Sequence, residues 1–467
     1  MNLLPDIISE KPDSGFSSKE LSKEFSDFSD IYSLESKIPR KFIAGEIDKL
    51  TYVFGYIADQ QINCVVHFND HFDVQRMKRA VTTTFYAEPV LGCRFVDMSE
   101  DVFWKRREDL HDLELCIFEE TKNLEKSISK FLTSPCNPSV DIPLLVKIFR
   151  TEQGDSLCLK VSHLALDGGG IQDYVQFLSS IYNKLKHDPN YIPEPNVESD
   201  RSLKQVFKNL NFWRKLNVLS QLRIRPPTFA FPWDGIKAKT RKYSIFRFSK
   251  KQYWKIKQFS KKMKVTITDL IVTAYYRAMF RITKVPTKKK MLSTVTANLR
   301  GYMPNRQAKS LCNLTASSHP KLTYVPGEDF ATSLKRVHKS TQKMKRKGPG
   351  LEAALFCRLL FSMPFNKAKD ILRKTLVEQL EEKATFPVIT NIGLTKAKDI
   401  AFDGVEAVDA FMLTPYMKAP GFLMGTLTFE ETLMFTMAYF EESYNTPSIE
   451  NFLNIMAEEL LTGTGAN

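Results

Sequence analysis

The chain has 467 residues with 67 Lys+Arg against 53 Asp+Glu, a formal net charge of +14, and 43% of it is apolar. That balance excludes a fibrous, collagen-like or wholly disordered chain, and the length suits two domains of ordinary size. No run approaches the roughly 18 apolar residues needed to span a bilayer, the opening MNLLPDIISEKPD carries no export signal, and seven scattered cysteines without a CxxC pair read as reduced thiols of a cytoplasmic protein.

Residues 1–38 hold nine serines with few apolar positions in register, and read as a mobile serine-rich arm. Organised structure should follow over 39–186. A strand is expected at Gln61–Phe68 and a helix at Val74–Phe85. Two strands, Ile142–Arg150 and Ser156–Ser162, alternate at period two around Gly154 and predict a β-hairpin. Three glycines then lead into a helix with Ile171, Tyr174, Val175, Leu178 and Ile181 at helical spacing.

Residues 187–242 read as a linker. It carries a basic amphipathic helix expected over 201–224, with Leu203, Phe207, Leu210, Trp213 and Leu216 along one side and Pro226-Pro227 closing it. The second half, 243–467, opens with a strand at Tyr243–Phe248 and a helix from Lys250. It continues with a helix at Ile267–Ile282, a strand at Lys290–Ala297, a charged helix at Glu328–Arg346 and helical sequence over 351–385. Strands are expected at Pro387–Gly393, Val405–Thr414, Phe422–Phe429 and Thr432–Phe440, and a last helix at Pro447–Leu461. Strands and helices mixed in two halves of similar size predict an α/β fold with two subdomains.

Charge is concentrated in the middle of the chain. Residues 201–350 hold 36 Lys+Arg and four acids, a local balance of +32, and the remainder is −18. Such a segment suits an anionic partner, or simply a solvated basic face. Lys335–Lys347 (KRVHKSTQKMKRK) could dock an acidic carrier protein or the phosphates of coenzyme A. The helix expected over 201–224, with Phe207, Phe212 and Trp213 among its bases, suits a peripheral membrane contact as well as an intramolecular packing face. Nucleic acid is not expected, because no groove-reading or stacking motif accompanies the charge.

The richest stretch for chemistry is Ser162-His163-Leu164-Ala165-Leu166-Asp167-Gly168-Gly169-Gly170. A histidine at a strand end can take a proton from a hydroxyl or amine near neutral pH. A carboxylate four residues on can hold the local backbone, and glycines let a substrate come close to it. The bland alternative is a core histidine followed by a helix-starting turn.

SHLALDGGG resembles the HxxxDG signature of the chloramphenicol-acetyltransferase-like superfamily, which includes condensation domains, wax ester synthases, alcohol acyltransferases and polyketide-associated acyltransferases. DVQRMKRAVTTTFYAEPVLGCRFV, the YSIFRF…YYRAMFR helix pair, VTANLRGYM and FPVITNIG resemble its other landmarks, over roughly residues 39–462. The resemblance implies two chloramphenicol-acetyltransferase-like subdomains, each a mixed β-sheet with flanking helices, with an active-site tunnel between them. It implies an acyltransferase that uses an acyl-CoA or acyl-carrier thioester as cosubstrate, with no bound cofactor and no metal. The acceptor would be a small or lipid-like alcohol or amine. His163 would be the general base, Asp167 a structural carboxylate paired with Arg300, and Gly168 a backbone contact near the substrate. Thr390 or Asn391 would stabilise the oxyanion or line the tunnel. Ser162 stands where peptide-forming condensation domains carry a first histidine, which favours acyl transfer over peptide-bond condensation. A non-catalytic member that binds an acyl ligand, carrier or membrane is the further alternative.

Two other patterns fail on context. Gly154-Asp155-Ser156-Leu157 has the look of a GDSL hydrolase block or a phosphopantetheine serine, but Ser156 enters an alternating strand. His67 and His71 have zincin spacing without the glutamate and straddle a strand end.

Overall fold

The computed structural model describes residues 29–467 apart from 99, 221, 223–226, 228, 284–289 and 383. Most expected elements are present within a residue or two. The strand Gln61–Phe68 and the helix Ile267–Ile282 have the expected bounds. The hairpin is Leu144–Thr151 with Gly154–Ser162, turning at Gly154 with φ +140°.

Two sheets dominate. A five-stranded sheet runs in the order Ala407–Leu413, Gln61–Phe68, Gly154–Ser162, Leu144–Thr151, Cys116–Glu120, with only the last pair parallel. An eight-stranded sheet is built around Thr294–Asn298, Val388–Thr395, Leu423–Phe429 and Thr432–Phe440. The division of the chain near 187–242 is not a division of the sheets. Ala407–Leu413 crosses back to pair with Gln61–Phe68, and Ala58–Asp59 joins the second sheet beside Tyr416–Met417.

Packing follows the alternation of side chains. In Gly154–Ser162, Leu157, Leu159 and Val161 lie on the face that also carries Ile62, Cys64 and Val66 of the neighbouring strand, all buried. The helices Val74–Ala87 and Gly168–Leu185 contribute Val81, Phe85, Tyr174 and Leu178 to the same core. The second sheet forms a separate core with Ile267–Ile282 and the C-terminal helix Thr446–Thr464.

Four expectations are corrected. The arm 1–38 is docked at its end: Ile31 is buried, Asp30 pairs with Arg79, and Glu35 with Arg106; residues 1–28 lie outside the described ones. Of the helix expected over 201–224, the part before residue 221 is two helices, Lys204–Phe207 and Phe212–Leu219, because Asn211 caps the second by accepting from the Arg214 N–H. The expected end at 221 and 223–224, and Pro226 of the closing pair, lie outside the described residues. Leu203, Phe207 and Leu210 are buried as expected, but Trp213 and Leu216 face out. Helical sequence over 351–385 breaks at Pro364 into Leu351–Leu360 and Phe365–Glu381. The strand at 290–297 splits at Ser293, with Lys290–Leu292 pairing Lys321–Thr323 and Thr294–Asn298 entering the large sheet.

Candidate active site

His163 follows the last residue of the strand Gly154–Ser162, and its backbone N–H donates to Gln60 O at 2.6 Å. By alternation its side chain continues the face of Val161, toward the helix Gly168–Leu185. The ring Nδ1 lies 3.0 Å from Leu166 O, a carbonyl that can only accept, so Nδ1 carries the proton. Asn313 Nδ2 stands 3.3 Å from the same nitrogen but makes its shorter contact, 2.8 Å, to the His163 carbonyl. Nε2 is therefore the unprotonated nitrogen, and it has no hydrogen-bond partner among the described residues. Burial lowers the His163 pKa below the ordinary 6.5, against smaller opposing effects from Leu166 O and Asp167. A neutral imidazole in the Nδ1–H tautomer is what a base needs at neutral pH.

Asp167 does not touch the imidazole. It is the N-cap of Gly168–Leu185, accepting from the Gly170 N–H at 2.6 Å. Arg300 Nη1 donates to both carboxylate oxygens, at 3.0 and 3.1 Å, and the Leu314 N–H and Thr315 hydroxyl donate at 2.9 and 2.8 Å. Asp167 is 1% exposed and Arg300 3%. Burial works to raise the Asp167 pKa, but Arg300 and these donors outweigh it and hold the carboxyl below the usual range. Arg300 is held in turn by Cys312 O at 2.8 Å and Asp173 at 2.8 Å. The pair ties the first half to the segment 299–315 of the second.

The three glycines divide by what surrounds them. A methyl group on Gly169 would fall 2.8 Å from Asn298 Nδ2 and 2.9 Å from Arg300 Nη1, and one on Gly170 would fall 2.9 Å from Cys312 O. These two permit the close approach of the Arg300 segment. A methyl on Gly168 would meet only Ile392, at 3.5 Å, across the seam between the halves.

Thr390 and Asn391 sit on opposite faces of Val388–Thr395. The Thr390 hydroxyl lies 2.6 Å from that of Thr296, and Ile392, at the bulge that follows, is the residue that approaches Gly168. Asn391 Nδ2 donates to Thr268 at the start of Ile267–Ile282, and its Oδ1 accepts the Gly393 N–H across a bulge. Both ends of the Asn391 amide thus have partners other than His163.

Several supports of the site have no local sequence signal. Asn313 holds the His163 carbonyl, and Arg201 donates to Leu164 O at 3.1 Å and Ala165 O at 2.7 Å while paired with Asp48. All come from distant segments of the chain. Along the same seam lies a cavity of about 80 Å³, between Gly168–Leu185 (Gln172, Val175) and the strands carrying Cys64, Val66, Met412 and Leu427. Its lining is mostly apolar. Among the described residues no helix is long and apolar enough to cross a membrane.

Solved structures of several proteins share this fold. Polyketide synthase associated protein 5 from Mycobacterium tuberculosis superposes with a TM-score of 0.62 at 14% identity, covering 91% of this chain and 100% of that one. Trichothecene 15-O-acetyltransferase from Fusarium sporotrichioides gives 0.64 at 11% identity, over 91% and 95%. The starter condensation domain of rhizomide synthetase, solved as a mutant with C8-CoA, gives 0.64 at 10% identity, over 93% and 97%. The fold is thus the two-subdomain α/β fold of the chloramphenicol-acetyltransferase-like proteins. No curated protein matches the sequence. The Condensation domain profile matches residues 60–352, more than half of the chain, and the chain belongs to the condensation-domain family.

Proposed function

We propose that this protein is an acyltransferase, moving an acyl group from a coenzyme A or carrier-protein thioester to a hydroxyl or amine. The observation that carries this is the state of His163: Nδ1–H is fixed on Leu166 O, and Nε2 is left with its lone pair. An acceptor O–H or N–H gives its proton to Nε2 as its oxygen or nitrogen attacks the thioester carbonyl. A tetrahedral oxyanion forms and collapses, the C–S bond breaks, and the imidazolium returns the proton to the leaving thiolate. Asp167 acts through structure, holding the motif backbone and the start of the helix. Of Thr390 and Asn391, Thr390 would assist the oxyanion, since the Asn391 amide bonds Thr268 and the Gly393 N–H. The apolar cavity along the seam suits the acyl chain of the donor, and no metal or bound cofactor enters these steps.

Peptide-bond condensation is the second reading, favoured by the family match over residues 60–352. Ser162 weighs against it. It lies on the opposite face of the strand from His163, shared with Lys160, and its buried hydroxyl has no partner among the described residues.

The test is thioester consumption with candidate alcohols and amines, followed by mass spectrometry of the products. An ester or amide product, lost by at least about 10²-fold in His163→Ala with the fold retained, is the expected outcome. Full activity in that variant would overturn the base assignment. Amide formed only on carrier-bound amines would select condensation, and no acyl product with any donor would leave a binding protein.

A further inference from the structure

The expected helix over 201–224 breaks where it does with a consequence for the surface. Phe212–Leu219 turns only Val218 inward. Phe212 is 65% exposed and Trp213 76%, and Leu216 and Leu219 are also exposed. The neighbouring helix Leu351–Leu360 packs against it, lines the same groove with Leu355 and Arg358, and itself exposes Phe356 and Leu359. An apolar patch drawn from two adjacent helices is more than the scattered single residues any soluble surface carries.

The rim of this patch is cationic. A groove of about 670 Å³ beside Phe212, Leu216 and Leu219 is bordered by Lys204, Lys208, Lys215, Lys309 and Arg358, with Asp200 as its single acid. Asp200 is already paired with Lys309 at 3.6 Å. Protruding aromatic and leucine side chains ringed by lysine and arginine form the combination that enters a headgroup layer: the rings and leucines displace into the acyl boundary, and the cations meet lipid phosphates. An acidic protein would satisfy the cations but would leave Trp213, which stands proud of the groove, without a reason to be there.

We propose that this face, centred on Phe212 and Trp213, docks the protein on an anionic bilayer surface. The site itself lies close by. Arg214 stacks on Tyr302, 5.0 Å from the ring centre, in the turn that carries Arg300, and Arg201 holds the His163–Asp167 loop. The docked face therefore adjoins the segments that build the site, and an acceptor or donor of lipid character would reach it from the membrane.

The experiment is sedimentation of the full chain with vesicles of phosphatidylcholine alone, or with phosphatidylserine at one molecule in three. Anionic vesicles should bind at least about tenfold more tightly than neutral ones, and the emission of Trp213 should shift to the blue. The double variant Phe212→Glu/Trp213→Glu should lose at least about tenfold in partitioning with an unchanged melting temperature, since both side chains are exposed. Trp213→Phe should keep binding and lose the shift. Reversing charges in Lys335–Lys347 should change nothing. Failure of the full chain to sediment with anionic vesicles overturns the proposal. So does equal binding to neutral vesicles, a dimer dispersed by the double variant, or capture of an acidic acyl carrier protein abolished by it. None of these outcomes depends on turnover, so they are read separately from the acyltransferase assay.

Discussion

Asp167→Asn isolates the structural half of the motif from the chemical half. In the folded protein the carboxylate accepts from Arg300, the Gly170 and Leu314 N–H groups and the Thr315 hydroxyl, with almost no exposure. The substitution removes the charge and turns an NH2 group toward donors, leaving Arg300 buried with Cys312 O, Asp173 and a long contact to Asn298 Oδ1 as its remaining acceptors. Breaking a buried pair by removing one partner costs about 3–5 kcal/mol. The remaining Asp173 contact should place the loss at the lower end of that range. With an unfolding entropy of about 1 kcal/mol/K for a chain of this length, the melting temperature should fall by about 3 °C. Urea titration and calorimetry would read the two quantities, with Asp173→Asn as the contrast. Asp173 is 41% exposed at its side chain, so its variant should lose less than about 1 kcal/mol. Equal stability of Asp167→Asn and the parent would refute the argument that the pair fastens the two halves.

Other outcomes follow from single side chains. Gly169→Ala should destabilise by about 1–3 kcal/mol, since its methyl meets Asn298 and Arg300. Gly168→Ala should fold normally, and a loss of turnover in it would place its backbone beside the substrate. The acid limb of kcat/KM should lie below pH 6.5, because burial depresses the His163 pKa and the neutral base persists as pH falls. Lys160 is buried against Ser134, and burial lowers its pKa from 10.5 to about 8. At this site the unfolded chain binds more protons than the folded one between about pH 8 and 10.5, so the parent should gain stability relative to Lys160→Met across that window. At pH 7 the full penalty of the charged buried lysine is present. Lys160→Met should therefore be more stable there by about 1–3 kcal/mol, after the loss of the Ser134 hydrogen bond.

What could be read in advance depended on how local each signal is. The strand before His163 and the helix after Gly170 announce themselves by periods of two and 3.6, and the glycines mark where they meet. Pairing of Asp167 with Arg300 spans 133 residues and came from resemblance, since nothing along the chain joins them. Asn313 and Arg201, which hold the backbone of the same loop, carry no motif at all. Thr390 and Asn391 are adjacent in sequence and opposite in space, a distinction that needs the register of the strand. The helix expected over 201–224 failed for another reason: its apolar period continues through Leu210-Asn211, but a capping asparagine competes there with helix continuation.

The crossing of Ala407–Leu413 into the first sheet has a consequence for how the protein is made. Until residue 413 is synthesised, Gln61–Phe68 is an open sheet edge with Cys64, Val65 and Val66 along it, and its partner strand is the last the sheet receives. A nascent or truncated chain ending near residue 240 holds the whole histidine motif but cannot close that edge, nor place Arg300 against Asp167. Such a fragment should associate through the edge instead of yielding half a working protein. Any attempt to divide this chain between two polypeptides must supply the second piece while the first is folding.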